Sequence, residues 1–158
     1  MAIRVDVDAR RRAEFAADYS DAFRIDAEPG RSAGEWAQRS LRGAEAGHGL
    51  FSRMAWRGLL GLHLAAPGTP GTLVGWRIAV DEPERFVLET GGRLMSGRMV
   101  FELSDAAVTW TTMLRYHRPA ARFVWAGAGH AHRALAPRCL ENARRSLQRS
   151  STSSPDRI

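Results

Sequence analysis

From Thr72 to Tyr116 the apolar side chains recur at every second position in four runs, and short polar turns separate the runs. Val74, Trp76, Ile78 and Val80 form the first run, and Phe86 and Leu88 the second. Met99, Phe101 and Leu103 form the third; Val108, Trp110, Thr112, Leu114 and Tyr116 form the fourth. A period of two sends alternate side chains to opposite faces of a strand. The breaks at Asp81-Glu82-Pro83-Glu84, Gly91-Gly92 and Ser104-Asp105-Ala106 are too short for a crossover, so neighbouring strands must run antiparallel. The other parity carries Arg77, Glu89, Arg98, Glu102 and Arg115. Such a sheet keeps one face wet and covers the other.

Upstream, Tyr19, Phe23 and Ile25 alternate with Asp18, Ser20, Arg24 and Asp26, which gives a fifth strand. Pro29-Gly30 ends it, and Ser32-Ala-Gly-Glu35 is a capping box that starts a helix over Ala33 to Ala46 with Trp36, Ser40 and Leu41 on one side. Gly47 is expected to stop that helix. A second helix is expected over Leu50 to Leu64, with Phe51, Met54, Leu59, Leu60 and Leu62 as its apolar body and Trp56 on another face. Downstream, Arg118-Pro119 opens a helix that the pattern carries to about Leu147, roughly 43 Å at 1.5 Å per residue. Pro137 is expected to kink it. Residues 1–14 read as a polar lead-in, 15–148 as one domain and 149–158 as a disordered tail. The class is α+β, a curved antiparallel sheet folded around the C-terminal helix, with two shorter helices between its first and second strands.

The 158 residues suit one domain. All 23 basic residues are arginine and the net charge is +6, but the arginines are scattered, and a scattered charge reads as solvated surface rather than a nucleic-acid footprint. The only cysteine, Cys139, rules out an internal disulfide, and Arg10, Arg11 and Arg12 interrupt any leader-like segment. A cytoplasmic location is the expectation. Gly68-Thr69-Pro70-Gly71 is a turn rather than a phosphate loop, and no cofactor is implied. His130 and His132 lie about 200° apart on a helix, so they do not share a metal, and no metal site is expected.

Four segments together are similar to the START and birch-pollen-allergen superfamily, also called SRPBCC or helix-grip. They are Asp18-Tyr19-Ser20-Asp21-Ala22-Phe23, Gly75-Trp76-Arg77-Ile78, Trp110-Thr111-Thr112-Met113-Leu114-Arg115-Tyr116, and Trp125 through His132-Arg133. The closer resemblance is to a bacterial family of unknown function within that superfamily. It spans about residues 16–145. It implies a cavity between the concave sheet face and the last helix, holding a lipid, polyketide or similar apolar molecule.

The residues expected to line that cavity are Trp76, Ile78, Met99, Phe101, Trp110, Thr112, Tyr116 and His130. Gly127, Ala128 and Gly129 on the last helix would leave room above the sheet. The same aromatic side chains could instead fill an ordinary core. Asp21 falls on the inward parity beside Tyr19 and Phe23. A buried carboxylate needs a partner, and Arg93, His130, His132 and Tyr116 are the candidates. Three functions follow: a non-catalytic binder of an apolar small molecule, a cyclase- or dehydratase-like enzyme using Asp21, or a module contacting a membrane or protein through the Leu50–Leu64 helix. The first is preferred, and an enzyme is disfavoured.

Overall fold

The computed structural model describes residues 1–54, 58, 60–104 and 106–152. The architecture is α+β: seven antiparallel strands in one open sheet, and a long C-terminal helix. Five strands were expected; the other two come from a missed N-terminal strand and a split in the meander. In chain order the elements are β1 (Ile3–Val5), α1 (Ala9–Phe15), β2 (Tyr19–Asp26), α2 (Ala33–Met54), β3 (Thr72–Leu73), β4 (Trp76–Asp81), β5 (Arg85–Thr90), β6 (Met95–Ser104), β7 (Ala107–Tyr116) and α3 (Pro119–Thr152). The spatial order is β1-β2-β7-β6-β5-β4-β3. The β2–β7 ladder, from Tyr19↔Leu114 to Asp26↔Ala107, joins the two ends of the sequence.

The lead-in expected over residues 1–14 holds β1 and α1. Ile3 and Val5 alternate with Arg4, and β1 adds to the free edge of β2. Asp8 accepts the Arg10 amide at 2.7 Å and caps α1. The helix sets Phe15 against Val87, Val100 and Met113, so the sheet's second face is not wholly wet. The Arg98 guanidinium lies 4.7 Å from the Phe15 ring centre. Around this patch the expected charges pair across strands: Glu89 stands between Arg77 at 2.5 Å and Arg98 at 2.6 Å, as the register Arg77↔Glu89↔Arg98 dictates. Glu102 meets Arg11 of α1 and Arg85.

The run expected as one strand from Thr72 to Val80 is a hairpin. Val74 and Gly75 both take positive φ, 50° and 88°, which is the backbone of a two-residue turn between β3 and β4. The ladder slips between Ile78 and Val80, and the slip sends Val80 to the opposite face from Ile78, against the second cluster. The turn at Pro83-Glu84 closes as expected, with Glu82 and Arg85 exchanging backbone bonds at 2.9 and 3.2 Å.

The capping box forms in both directions, Glu35 N to Ser32 Oγ at 3.2 Å and Ser32 N to Glu35 Oε2 at 2.9 Å. The helix stop expected at Gly47 does not occur: α2 runs on to Met54. Glycine costs only about 1 kcal/mol in a helix interior. Nor does a helix extend to Leu64. There Leu60, Leu62 and Leu64 are buried in alternation, Leu62 bridges Gly92, and His63 N donates to Gly91 O at 2.8 Å. Trp56, Leu59 and Asp105, and the side chains of Phe51 and Met54, lie outside the described residues, as does the tail beyond Thr152. The helix α3 passes Leu147 and Ser150 and ends at Thr152. It is continuous through Pro137.

Both long helices cover the same sheet face, α2 over β5 and β6 and α3 over β2 and β7, and they pack against each other. Trp36, Ala37, Ser40 and Leu41 are the buried side of α2. Ala121, Trp125, Gly129, Ala136, Leu140, Ala143 and Leu147 form the buried stripe of α3, and half-buried His132 completes its steps of three and four. Full burial of each large apolar side chain contributes about 1.5–3 kcal/mol.

Candidate site at the junction of β2 and α3

The period of two places Tyr19 and Asp21 on one face of β2, and the β2–β7 register sets Asp21 opposite Thr112 and Phe23 opposite Trp110. The buried stripe of α3 brings Trp125 and His132 over the same spot. None of the Asp21 side chain is exposed. Its two oxygens go to two different elements. Oδ2 accepts from the Tyr19 hydroxyl at 2.6 Å, and Oδ1 lies 3.2 Å from His132 Nε2. Arg133 Nη1 donates to the Tyr19 oxygen at 3.3 Å, and Nη2 lies 3.3 Å from His130 Nδ1. A polar chain therefore runs from surface to core: His130, Arg133, Tyr19, Asp21, His132.

Aromatic rings enclose its inner end. The Trp110 ring meets His132 edge-on at 6.0 Å, and Trp125 lies 5.5 Å from His132 and 5.1 Å from Tyr19. Phe101 stacks on Trp110 at 5.1 Å. In this low-dielectric setting the Tyr19 hydroxyl is pushed up to about 12, first by burial and then by its bond to the Asp21 carboxylate. With His132 Nε2–H donating to Asp21, a neutral ring keeps Nδ1 as an acceptor; the tautomer is assigned from this contact. A carboxylate that orients a histidine, with a tyrosine beside both, is a group set that can bind a polar ligand atom or move a proton.

Asp21 is inward, as its parity requires, and one candidate partner, His132, reaches it. The others do not. Arg93 and His130 are exposed. Tyr116 is half-buried, and its amide bonds Asp18 at 2.6 Å. Tyr19 was not among the candidates, although its spacing of two from Asp21 is the signal that identifies it. Of the expected lining, Trp110 and Thr112 lie beside Asp21 or His132, while His130 meets the site only through Arg133. Met99 and Phe101 are packed on the covered face at 3% and 0% exposure. Trp76 and Ile78 lie on β4, far along the sheet from β2. The Trp76 indole reaches across to Gly97, where a Cβ would sit only 2.7 Å from its ring.

The small residues on α3 do not roof a common space. Gly127 is exposed with nothing within 4 Å of a built Cβ, whereas Gly129 is buried against Trp125 and Arg133. Clefts open in three places, one of them reaching Asp21. Two open on the opposite sheet face, of about 560 and 490 Å³, one beside Arg11, Arg24 and Glu102 and one beside Phe15, Arg77 and Gly97. The third, about 560 Å³, lies at the edge where β1 leaves β2; Arg4, Asp6, Arg12, Ser20 and Asp21 line it. Among the described residues no three His, Cys, Asp or Glu gather to hold a metal ion. The Cys139 thiol is pushed up by burial.

Among the described residues, the buried polar atoms without a hydrogen-bond partner include Trp36 Nε1, Ser40 Oγ, Trp110 Nε1 and Trp125 Nε1. Two of these indoles flank His132.

No family model matches the chain, and no curated protein matches it. Among solved structures, the chain is similar to protein Ms6760 from Mycobacterium smegmatis, with a TM-score of 0.41 and 13% identity over 87% of this chain and 93% of that one.

Proposed function

We propose that this protein binds a small, largely apolar molecule on the covered side of its sheet, between β2–β7 and α3, with the Tyr19–Asp21–His132 cluster as the polar anchor. The observation that carries the reading is the fully buried Asp21 carboxylate, held by side chains from two elements. A buried ionic group is weak evidence for stability, since apolar replacements of equal volume are often neutral or better. Its retention here, inside a cage of aromatic rings and next to partly exposed His132 and Tyr19, fits recognition: apolar walls with a few fixed polar groups. The resemblance to the helix-grip superfamily supports the same region, because the long C-terminal helix lies over the sheet there. A reducing, cytoplasmic setting fits the single thiol. No helix among the described residues is long and apolar enough to cross a membrane.

Native mass spectrometry of the purified full chain tests the reading. A co-purified small molecule should appear as a discrete mass increment and weaken in Asp21→Asn. The absence of any increment, together with no change in tryptophan emission across a lipid and aromatic library, would reject it.

The Asp21–His132 contact also favours a second reading, an acid–base enzyme in which His132 moves a proton on the bound molecule and Asp21 orients it. Incubating the co-purified molecule with fresh protein should then change its mass, and His132→Gln should stop that change while binding persists. A molecule recovered unaltered sinks this reading.

A further inference from the structure

Gly129 lies at a meeting of donors. A Cβ built there would be 3.1 Å from Trp125 Nε1 and 3.1 Å from Arg133 Nη1. Trp125 is 6% exposed, and its indole N–H has no partner. An indole nitrogen only donates, so what it lacks is an acceptor. An orphaned buried donor forfeits the bond that it had with water, and such groups ask for an explanation. Arg133 adds charge. Its described bonds reach a hydroxyl and an imidazole, and among the described residues no carboxylate pairs with it. The nearby Asp21 does not fill this role, because its oxygens are turned to Tyr19 and His132 and the Tyr19 hydroxyl stands between it and Arg133.

We infer that the molecule bound at this site carries a carboxylate, received by the indole N–H of Trp125 and the guanidinium of Arg133 where the two converge over Gly129. The inference rests on the small-molecule reading above and narrows it to apolar acids. A carboxylate is a pure acceptor, and it accepts from two donors at once. Arg133 is half-buried and sits at the outer end of the polar chain, so the acid group meets the cation at the rim while its apolar body lies along Tyr19 and Trp125. Glycine at 129 leaves both donors room, since a Cβ there would crowd each of them at 3.1 Å.

The test is titration of the full chain, followed by tryptophan emission, with decanoate and with 1-decanol, which share a tail and differ in the head. Decanoate should bind at least about tenfold more tightly, in line with charge-assisted hydrogen bonds. Trp125→Phe keeps a ring and removes the N–H; it should weaken decanoate about tenfold more than it weakens decanol. Arg133→Gln, at a half-exposed position, should shift the ratio in the same direction. Equal affinity for acid and alcohol, or variants that leave their ratio unchanged, would overturn the carboxylate while leaving the apolar-ligand reading intact. Binding of neither probe overturns both.

Discussion

Gly127 and Gly129 stand two residues apart on α3 and face opposite surroundings. At Gly127 an added methyl meets nothing within 4 Å, so Gly127→Ala should stabilise the fold by about 0.5–1 kcal/mol, the usual helix gain. At Gly129 the same methyl meets Trp125 Nε1 and Arg133 Nη1 at 3.1 Å, so the gain is offset by displacement and the net change should stay under about 1 kcal/mol. Urea unfolding of the two variants checks the contrast. Tyr19 gives a second readout, because the chain has only two tyrosines. Its folded value of about 12 lies above the ordinary 10, so the folded state holds that proton more tightly. The matching stabilisation is complete below pH 10 and is lost as pH rises toward 12. In Asp21→Asn the tyrosinate absorbance should appear at lower pH than in the parent chain, yet still above 10, because burial is the larger cause and remains. A titration unmoved by the substitution would contradict the Tyr19–Asp21 bond. The inward parity of Asp21 was legible from alternation alone. The choice between His130 and His132 was not, because a helix's rotational phase is set by what it packs on, and that depends on strands far away in sequence.

Among the elements, α2 shows which local signals survive folding. Its start was written in four residues, and Ser32→Ala should cost about 1 kcal/mol through the lost N-cap bond, measurable as a lower urea midpoint. The Ser32 amide holds the Glu35 carboxyl below its usual range, so this cap weakens as pH falls through that lowered value. Its end was misread because a glycine is a preference of about 1 kcal/mol, and the helix's packing on α3 outweighs it. The β3–β4 hairpin was hidden for the opposite reason. Val74 is a poor turn residue, and the backbone accepts positive φ there while the side chain stays 9% exposed in the core. The element missed at the N-terminus does cover apolar surface. Phe15→Ala should uncover Val87, Val100 and Met113 and cost about 2 kcal/mol, less than a fully enclosed phenylalanine. A loss near zero would mean that α1 does not hold that face.

At the scale of the molecule, the β2–β7 ladder is the decisive long-range pairing; along the rest of the sheet most neighbours are also neighbours in sequence. The meander was therefore readable from turns and alternation, while the placement of α2 beside α3 over the sheet was not, since nothing local says which helix lies over which strands. Native-state hydrogen exchange should find its slowest amides in β7, β6 and the β7-facing side of β2, and its fastest in β1 and β3. Uniform protection across the sheet would contradict this ranking. The same strand order governs how copies of the chain meet one another. Both outermost strands are very short, three residues in β1 and two in β3. A stub of two or three residues offers few free backbone groups for a foreign strand to pair with, and Arg4 within β1 adds charge at that border. The sheet thus ends on both sides in a poor template, a guard against edge-to-edge growth into fibres that leaves the long, adhesive strands β6 and β7 at its centre.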